Sequence, residues 1–327
     1  MPAPKGKILV IRGGAIGDFI CTVPAIAALR ERFPETHLEV LGYPHVARLA
    51  LAAGLVDQVQ SIEARALASF FARGGSLPPQ LGEYFSSFAL ILSYLYDPDE
   101  IFRTNVGLCS KAQFLVGPHR PDEVGPLHAT DAFLKPLERL AIFDADAVPH
   151  LRIPPSTGAE RAAESFVQDT LQEGSGRAPG RWLALHPGSG SERKNWPEER
   201  WAALIGCLSA NPENHLLLVG GEAEGDRLER LARSVRSPSL MIARHKPLPE
   251  LAALLQQCAA YVGHDSGISH LAAAIGVPVL ALWGETNPVV WGPRGATVQL
   301  LQAPQGLARL EVDAVFRALE NLLRQIR

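Results

Sequence analysis

The stretch KILVIRGGAIGDFICTVPAIAALRERFPETHLEVL, Lys7 to Leu41, sets the architecture. Lys7–Ile11 is an apolar run of strand length, closed by Arg12. A small-residue loop, Arg12-Gly-Gly-Ala-Ile-Gly-Asp18, follows. From Asp18 to about Arg32 the apolar residues fall at helical spacing: Ile20, Val23, Ile26, Ala27 and Leu29. Leu38–Leu41 reads as a second strand. A short continuous strand, a helix and another short strand form the unit of a parallel sheet covered on both faces.

The same rhythm continues along the chain. Ala89–Ser93 reads as a further strand, and a helix is expected at about Gly158–Leu171. The alternation restarts with strands at Trp182–Leu185, His215–Val219, Ala260–Gly263 and Pro278–Trp283. Helices are expected at Pro197–Ser209, Glu224–Val235, Leu248–Gln257, Ser269–Ile275 and about Val312–Ile326. Boundary signals cluster between 150 and 180: Pro149, Pro154, Pro155, then Glu173-Gly-Ser-Gly-Arg-Ala-Pro-Gly180. The expected division is 1–172, 173–310 and a terminal helix over 311–327. A length of 327 residues agrees with two α/β domains.

Composition narrows the partners. The net charge is −3, with no basic tail and no acidic block, which argues against nucleic acid. Cys21, Cys109, Cys207 and Cys258 are far apart and lack metal-ligand spacing, which fits a reducing compartment and no zinc site. No segment has the length of a transmembrane helix, and Ile8–Ile11 is too short for a signal-peptide core. The expectation is a cytoplasmic protein.

In open α/β sheets, ligands lie beyond the carboxyl ends of strands, so the loops there are the places to look. The first is Gly13-Gly14-Ala15-Ile16-Gly17-Asp18, whose glycines fit no dinucleotide fingerprint. Asp18 stands where an anion is favoured, at a helix start. Its spacing leaves two readings open: a general base for a hydroxyl, or an N-cap. The second is His186-Pro-Gly-Ser-Gly-Ser-Glu-Arg-Lys-Asn-Trp-Pro-Glu198. Asn195 and Glu198 have the spacing of a capping box, placing Lys194, Ser189 and Gly190 around an expected anion site. The third is His264-Asp-Ser-Gly-Ile-Ser-His270, where Asp265, Ser266, Gly267 and His270 surround a helix start.

With these strings in hand, the chain resembles glycosyltransferase family 9, the ADP-heptose:lipopolysaccharide heptosyltransferases. The resemblance rests on Gly17-Asp-Phe-Ile-Cys-Thr-Val-Pro24, Lys194-Asn-Trp-Pro197, Val219-Gly-Gly221 with acidic residues following, Asp265-Ser-Gly-Ile-Ser-His270, Trp283-Gly-Glu-Thr286 and Trp291-Gly-Pro293. It implies a GT-B architecture, two Rossmann-like doubly wound domains facing across a cleft. The donor is held mainly by the second domain and the acceptor by the first. It further implies an inverting transfer from ADP-heptose that needs no metal and no cofactor.

By the same resemblance Asp18 is the catalytic base. Ser189, Gly190, Lys194, Ser266 and Gly267 face the diphosphate, while Asp265 and His270 contact sugar or phosphate. Either Glu222 or Glu224 holds the ribose, and the base pocket lies near Met241–Leu248. His264 stands where the family usually has Asn, and Ser266 where it usually has Thr. The implied acceptor is a glycolipid or oligosaccharide of the lipopolysaccharide core at the cytoplasmic face of the inner membrane, with a monomer as the expected state.

Acceptor-side signals are Arg65 and Arg73, on an expected amphipathic helix with Phe70 and Phe71, and the His119-Arg120 pair between two prolines. The rival readings are a sugar-nucleotide epimerase of the same fold and a nucleotide-sugar-binding protein without turnover.

Overall fold

The computed structural model describes residues 6–154, 158–173, 180–235, 237 and 240–325. The chain divides into two units, Met1–Pro149 and His150–Arg327. That division falls at the start of the expected boundary region and not at 172/173. The reason is that the helix Gly158–Glu173 packs on Leu248–Gln256 of the second unit. Pro155 and residues 174–179 of the glycine-rich stretch lie outside the described residues, as does Ile326.

The first unit runs β1 (Lys7–Arg12), α1 (Ile16–Arg32), β2 (Leu38–Gly42), α2 (Pro44–Ala52), β3 (Gln58–Ser61), α3 (Pro79–Ser86), β4 (Phe88–Ser93), α4 (Ile101–Cys109), β5 (Gln113–Val116) and α5 (Ala129–Leu134). All its strands pair in parallel, in the order β3-β2-β1-β4-β5. The central strands are the apolar runs read from the sequence: Leu9, Val10 and Ile11 are fully buried. One core face gathers Leu9, Ile11, Phe70, Phe85, Phe88 and Phe102. The expected amphipathic helix near residue 65 is a 3-10 turn, Arg65–Phe71. Phe70 is buried against Phe85, ring centroids 4.8 Å apart, while Phe71 is partly exposed and lies against Phe102.

The second unit runs α6 (Gly158–Glu173), β6 (Arg181–His186), α7 (Glu198–Ser209), β7 (Asn214–Gly220), α8 (Arg227–Val235), β8 (Leu240–Arg244), α9 (Leu248–Gln256), β9 (Ala260–His264), α10 (Gly267–Ala274), β10 (Val279–Trp283), α11 (Pro288–Trp291), β11 (Val298–Gln302) and α12 (Val312–Gln325). Its parallel sheet has the order β11-β10-β9-β6-β7-β8. The terminal helix α12 is part of this unit: Val315, Leu319, Leu322 and Leu323 bury into the same core as Leu183, Trp196, Trp201 and Leu280.

In each sheet the strand order reverses beside the first strand. The chain builds outward from β1 through β2, then returns to place β4 on the other side. It does the same from β6 through β7, then β9. Such a reversal opens a crevice beyond the strand ends, the usual ligand position in this architecture. Three of the loops singled out from sequence leave strands at these points: Gly13–Asp18 after β1, Pro187–Trp196 after β6, and Asp265–Ser266 after β9. Among the described residues no helix is long and apolar enough to cross a membrane.

Candidate functional site

In the first unit, Gly14 turns the chain with a φ of +98°, a conformation open to glycine. Helix α1 then starts at Ile16, with Ala15 at the N-cap and Asp18 in the first turn. Asp18 is therefore not the N-cap that one sequence reading held open. Its Oδ2 reaches back to accept the Ala15 N–H at 3.0 Å, satisfying a donor that the start of a helix leaves unpaired. Its Oδ1 lies 3.4 Å from Nη2 of Arg12, and its main-chain carbonyl accepts from the same nitrogen at 3.2 Å.

Arg12 is 2% exposed, yet charged. Burial lowers its pKa from the ordinary arginine value, against the opposing pull of Asp18. The guanidinium sits 4.5 Å from the centroid of the Phe133 ring, and its Nη1 donates to the His119 carbonyl at 2.9 Å. Arg12 thus ties the Asp18 turn to the His119-Arg120 loop. Arg12 was missed from sequence; its one signal was a charge ending an apolar strand just before two glycines.

The other acceptor candidates are placed differently. His119 and Arg120 are exposed, with the His119 ring 4.6 Å from Tyr96. Arg65 is exposed on its 3-10 turn, and Arg73 pairs with Asp99 at 3.4 Å, both side chains in solvent.

In the second unit the loop after β6 does not form the expected capping box. Helix α7 starts after Pro197, and Asn195 ends a one-turn helix, Glu192–Lys194. Glu198 binds Arg230 instead, at 2.7 Å and 2.9 Å. Ser189 is buried and faces into the loop, bonded to Ser191 and Asn195 at 2.8 Å each, while Gly190 is exposed. Arg227 fixes the same loop from below through Glu192 and the Pro187 carbonyl. Lys194 emerges from it, 41% exposed, and its Nζ meets Asp265 Oδ2 at 2.5 Å.

This ion pair joins the loops after β6 and β9 across the point where the strand order reverses. Ser266 caps α10, accepting the Ser269 N–H, and Gly267 opens the helix. His270 is buried in its first turn. The lysine, the serine and the helix N-terminus thus stand together at the carboxyl end of the sheet.

His264 is completely buried and belongs to the frame. Its Nε2 accepts from the Trp196 N–H at 2.9 Å and lies 3.3 Å from the Trp201 indole nitrogen. That leaves Nδ1 to carry the proton toward the Gly188 carbonyl. Burial drives its pKa down to about 3, so the ring is neutral. His264, one of the two departures from the family pattern, is therefore a strut behind the loop.

The two acidic ribose candidates separate. Glu222 is exposed at the end of β7, whereas Glu224 is 6% exposed, its Oε2 taking the Gly221 N–H and its Oε1 facing His186. Burial works against the Glu224 charge, but the His186 and Gly221 hydrogen bonds prevail and hold its pKa below the ordinary value. The expected apolar slot at Met241 and Ile242 is part of strand β8 and its packing: Met241 is buried and Ile242 packs on the core. The surface beyond that strand is formed by His245 to Leu248. Among the described residues no three His, Cys, Asp or Glu side chains cluster to hold a metal, and none of the four cysteines is in a disulfide.

A family profile described as glycosyltransferase family 9 (heptosyltransferase) matches residues 142–312. Lipopolysaccharide heptosyltransferase 1 of Escherichia coli strain K12 is 32% identical over 130 residues, 39% of this chain and 40% of that protein. The aligned segment is thus well under half of that relative's length. Among solved structures, a glycosyl transferase family 9 protein from Veillonella parvula superposes with a TM-score of 0.80 at 19% identity, covering 99% of each chain. The ADP-heptose lps heptosyltransferase II of E. coli gives 0.73 at 17% identity, covering 98% of this chain and 99% of the other. At these identities the likeness shows the fold: the architecture is GT-B.

Proposed function

The chain belongs to glycosyltransferase family 9, and we propose that it transfers a heptose or related sugar from ADP-heptose to a lipopolysaccharide-core acceptor. The observation that carries this reading is the Lys194–Asp265 pair beside Ser266 and the start of α10, where the strand order of the second sheet reverses. That arrangement suits a diphosphate. The anion draws Lys194 from its carboxylate partner and meets the N-terminal end of α10. Glu222, left free for solvent by the inward turn of Glu224, is the candidate for the ribose hydroxyls.

Asp18 on the first unit supplies the base. Its carboxylate takes the proton of the acceptor hydroxyl as that oxygen bonds to the anomeric carbon. The bond from that carbon to the diphosphate breaks on the opposite side, which inverts the configuration. Lys194 and the helix N–H groups stabilise the charge left on ADP, the role a metal would otherwise fill. Turnover in EDTA equal to turnover without it is the expected outcome. Loss of activity in the chelator, restored by magnesium or manganese, would defeat the metal-free scheme.

The decisive experiment gives the purified protein ADP-heptose with and without a lipopolysaccharide-core acceptor and follows both sugar products. Formation of an inverted glycoside only when acceptor is present supports transfer. Conversion of the donor without acceptor points to an epimerase, and binding of ADP-heptose without any conversion points to a non-catalytic binder.

A further inference from the structure

Arg12 plays no part in the scheme above, although it touches the proposed base. It ends β1, the central strand of the first sheet, behind four buried aliphatic residues, Ile8 to Ile11. A charge in that place is costly. Burial strips it of water, and a well-packed apolar side chain would serve stability as well or better. Among the described residues its Nε has no hydrogen-bond partner, so the guanidinium stays buried even though one N–H goes unpaired.

What the guanidinium supplies is fixed geometry. The first turn of α1 presents it with the Asp18 carboxylate at 3.4 Å and the Asp18 carbonyl at 3.2 Å. The loop after β5 offers the His119 carbonyl at 2.9 Å. The rings of Tyr94, just past β4, and Phe133, on α5, lie 5.7 Å and 4.5 Å away by their centroids. Those rings are fixed in turn. Tyr94 is buried and donates to the Phe133 carbonyl at 2.5 Å, and a Cβ at Gly117 would overlap the Tyr94 ring. The carboxylate is held at both oxygens, Oδ2 by the Ala15 N–H and Oδ1 by the arginine. Its side chain keeps 19% exposure against 2% for Arg12, so a hydroxyl can approach the base while the cation stays out of reach. A base must stand within hydrogen-bond reach of the proton it takes, and a misplacement of about 1 Å can cost roughly a hundredfold in rate.

We infer that Arg12 is a positioning residue for transfer: it fixes the Asp18 carboxylate and, through the His119 carbonyl, the loop that follows β5, so that base and loop keep one spacing at the carboxyl end of the first sheet. Arginine suits the task because separate nitrogens of its planar fork serve the carboxylate and the carbonyl while its face packs on aromatic rings. A lysine keeps the charge and loses the fork. This rests on the reading of Asp18 as the base proposed above.

The test follows transfer from ADP-heptose to lipopolysaccharide-core oligosaccharide by the full-length protein, in a cycle of variants with Asp18→Asn. Arg12→Met, an apolar replacement of similar length, lowers kcat about 10–100-fold when Asp18 is present. Its Kd for ADP by titration calorimetry stays within about twofold of wild type, since the proposed donor residues lie on the second unit. Arg12→Lys, which keeps the charge but not the fork, lowers kcat about tenfold, the scale of one hydrogen bond to a charged group. In the Asp18→Asn background neither substitution lowers kcat further by more than about twofold, because the carboxylate through which Arg12 acts is gone. A purely structural role would instead lower the active fraction, and with it turnover, by the same factor in both backgrounds. That outcome, or a kcat within about twofold of wild type in folded Arg12→Met, would overturn the positioning role and leave Asp18 as the base. Should Arg12→Met not fold, Arg12→Lys carries the cycle under the same two criteria. Near-normal transfer by Asp18→Asn would instead remove the base, and the positioning role with it.

Discussion

Asp18 has two jobs in this structure, and they are separable by experiment. Its carboxylate is the proposed base, and it is also the negative partner 3.4 Å from a nearly inaccessible Arg12. Asp18→Asn is expected to lower transfer by about 10²–10⁴-fold, the range for loss of a general base, with ADP affinity unchanged. It should also cost stability, on the order of 1–3 kcal/mol by urea denaturation, because Arg12 loses its compensating charge. Near-normal transfer by a destabilised Asp18→Asn protein would leave the residue only its structural job.

His264 gives a second residue-level prediction, in pH. The folded ring resists a proton down to about pH 3, while the unfolded residue takes one near 6.5. Its contribution to stability is complete above pH 6.5 and is lost as the pH falls from there toward 3, by up to about 1.4 kcal/mol per pH unit. Denaturation of His264→Asn over the same range should show a shallower slope. An unchanged slope would mean that other groups carry the acid sensitivity.

At the scale of elements, the glycines test which loops are constrained. Gly14 has φ +98°, and an added Cβ would come within 2.9 Å of Asp18 Oδ2. Gly14→Ala should therefore displace the Asp18 carboxylate, lowering kcat and costing about 1 kcal/mol or more. Gly190→Ala meets nothing within 4 Å and should leave stability unchanged. A kcat for Gly14→Ala equal to wild type would show that the carboxylate needs no such fixed turn. The same contrast explains what the sequence made legible. The central strands β1, β4, β6, β7, β9 and β10 are buried on both faces, so each appears as an uninterrupted apolar run. The edge strands do not: β3 reads Gln-Val-Gln-Ser and is partly exposed, and β11 is half-buried. The α7 helix was legible to within a residue but its cap was not, because Asn195 and Glu198 have capping-box spacing while Pro197 takes the N-cap and Arg230 takes Glu198. Lys194, Asp265 and Ser266 were legible because each stands in a compact string after a strand. Arg12 and His186 were not, since what marks them is a partner or a burial that only the folded sheet creates.

For the whole molecule, the two units predict an uneven response to nucleotides. The proposed donor residues Lys194, Glu222, Asp265 and Ser266 all belong to the second unit, His150–Arg327, while Asp18 belongs to the first. A chain of two such units need not unfold in one step. Ligand at a hundred times its Kd adds about 2.7 kcal/mol of apparent stability to the form it binds. For a unit of this size that raises the melting point by roughly 5–10 °C, at about 2–4 °C per kcal/mol. Calorimetric scans should therefore show ADP raising the transition of the second unit, with ADP-sugars acting likewise. UDP and GDP share the diphosphate and should shift it less, because the difference must arise at the base, for which the proposed place is beyond β8 around His245–Leu248. Lys194→Ala should weaken the shift by the same factor for all three nucleotides, since an ammonium reads charge and not the base. A loss confined to ADP would place Lys194 at the base and not at the phosphates. A larger shift with UDP than with ADP would sink the ADP-heptose assignment while leaving the GT-B fold and the family intact.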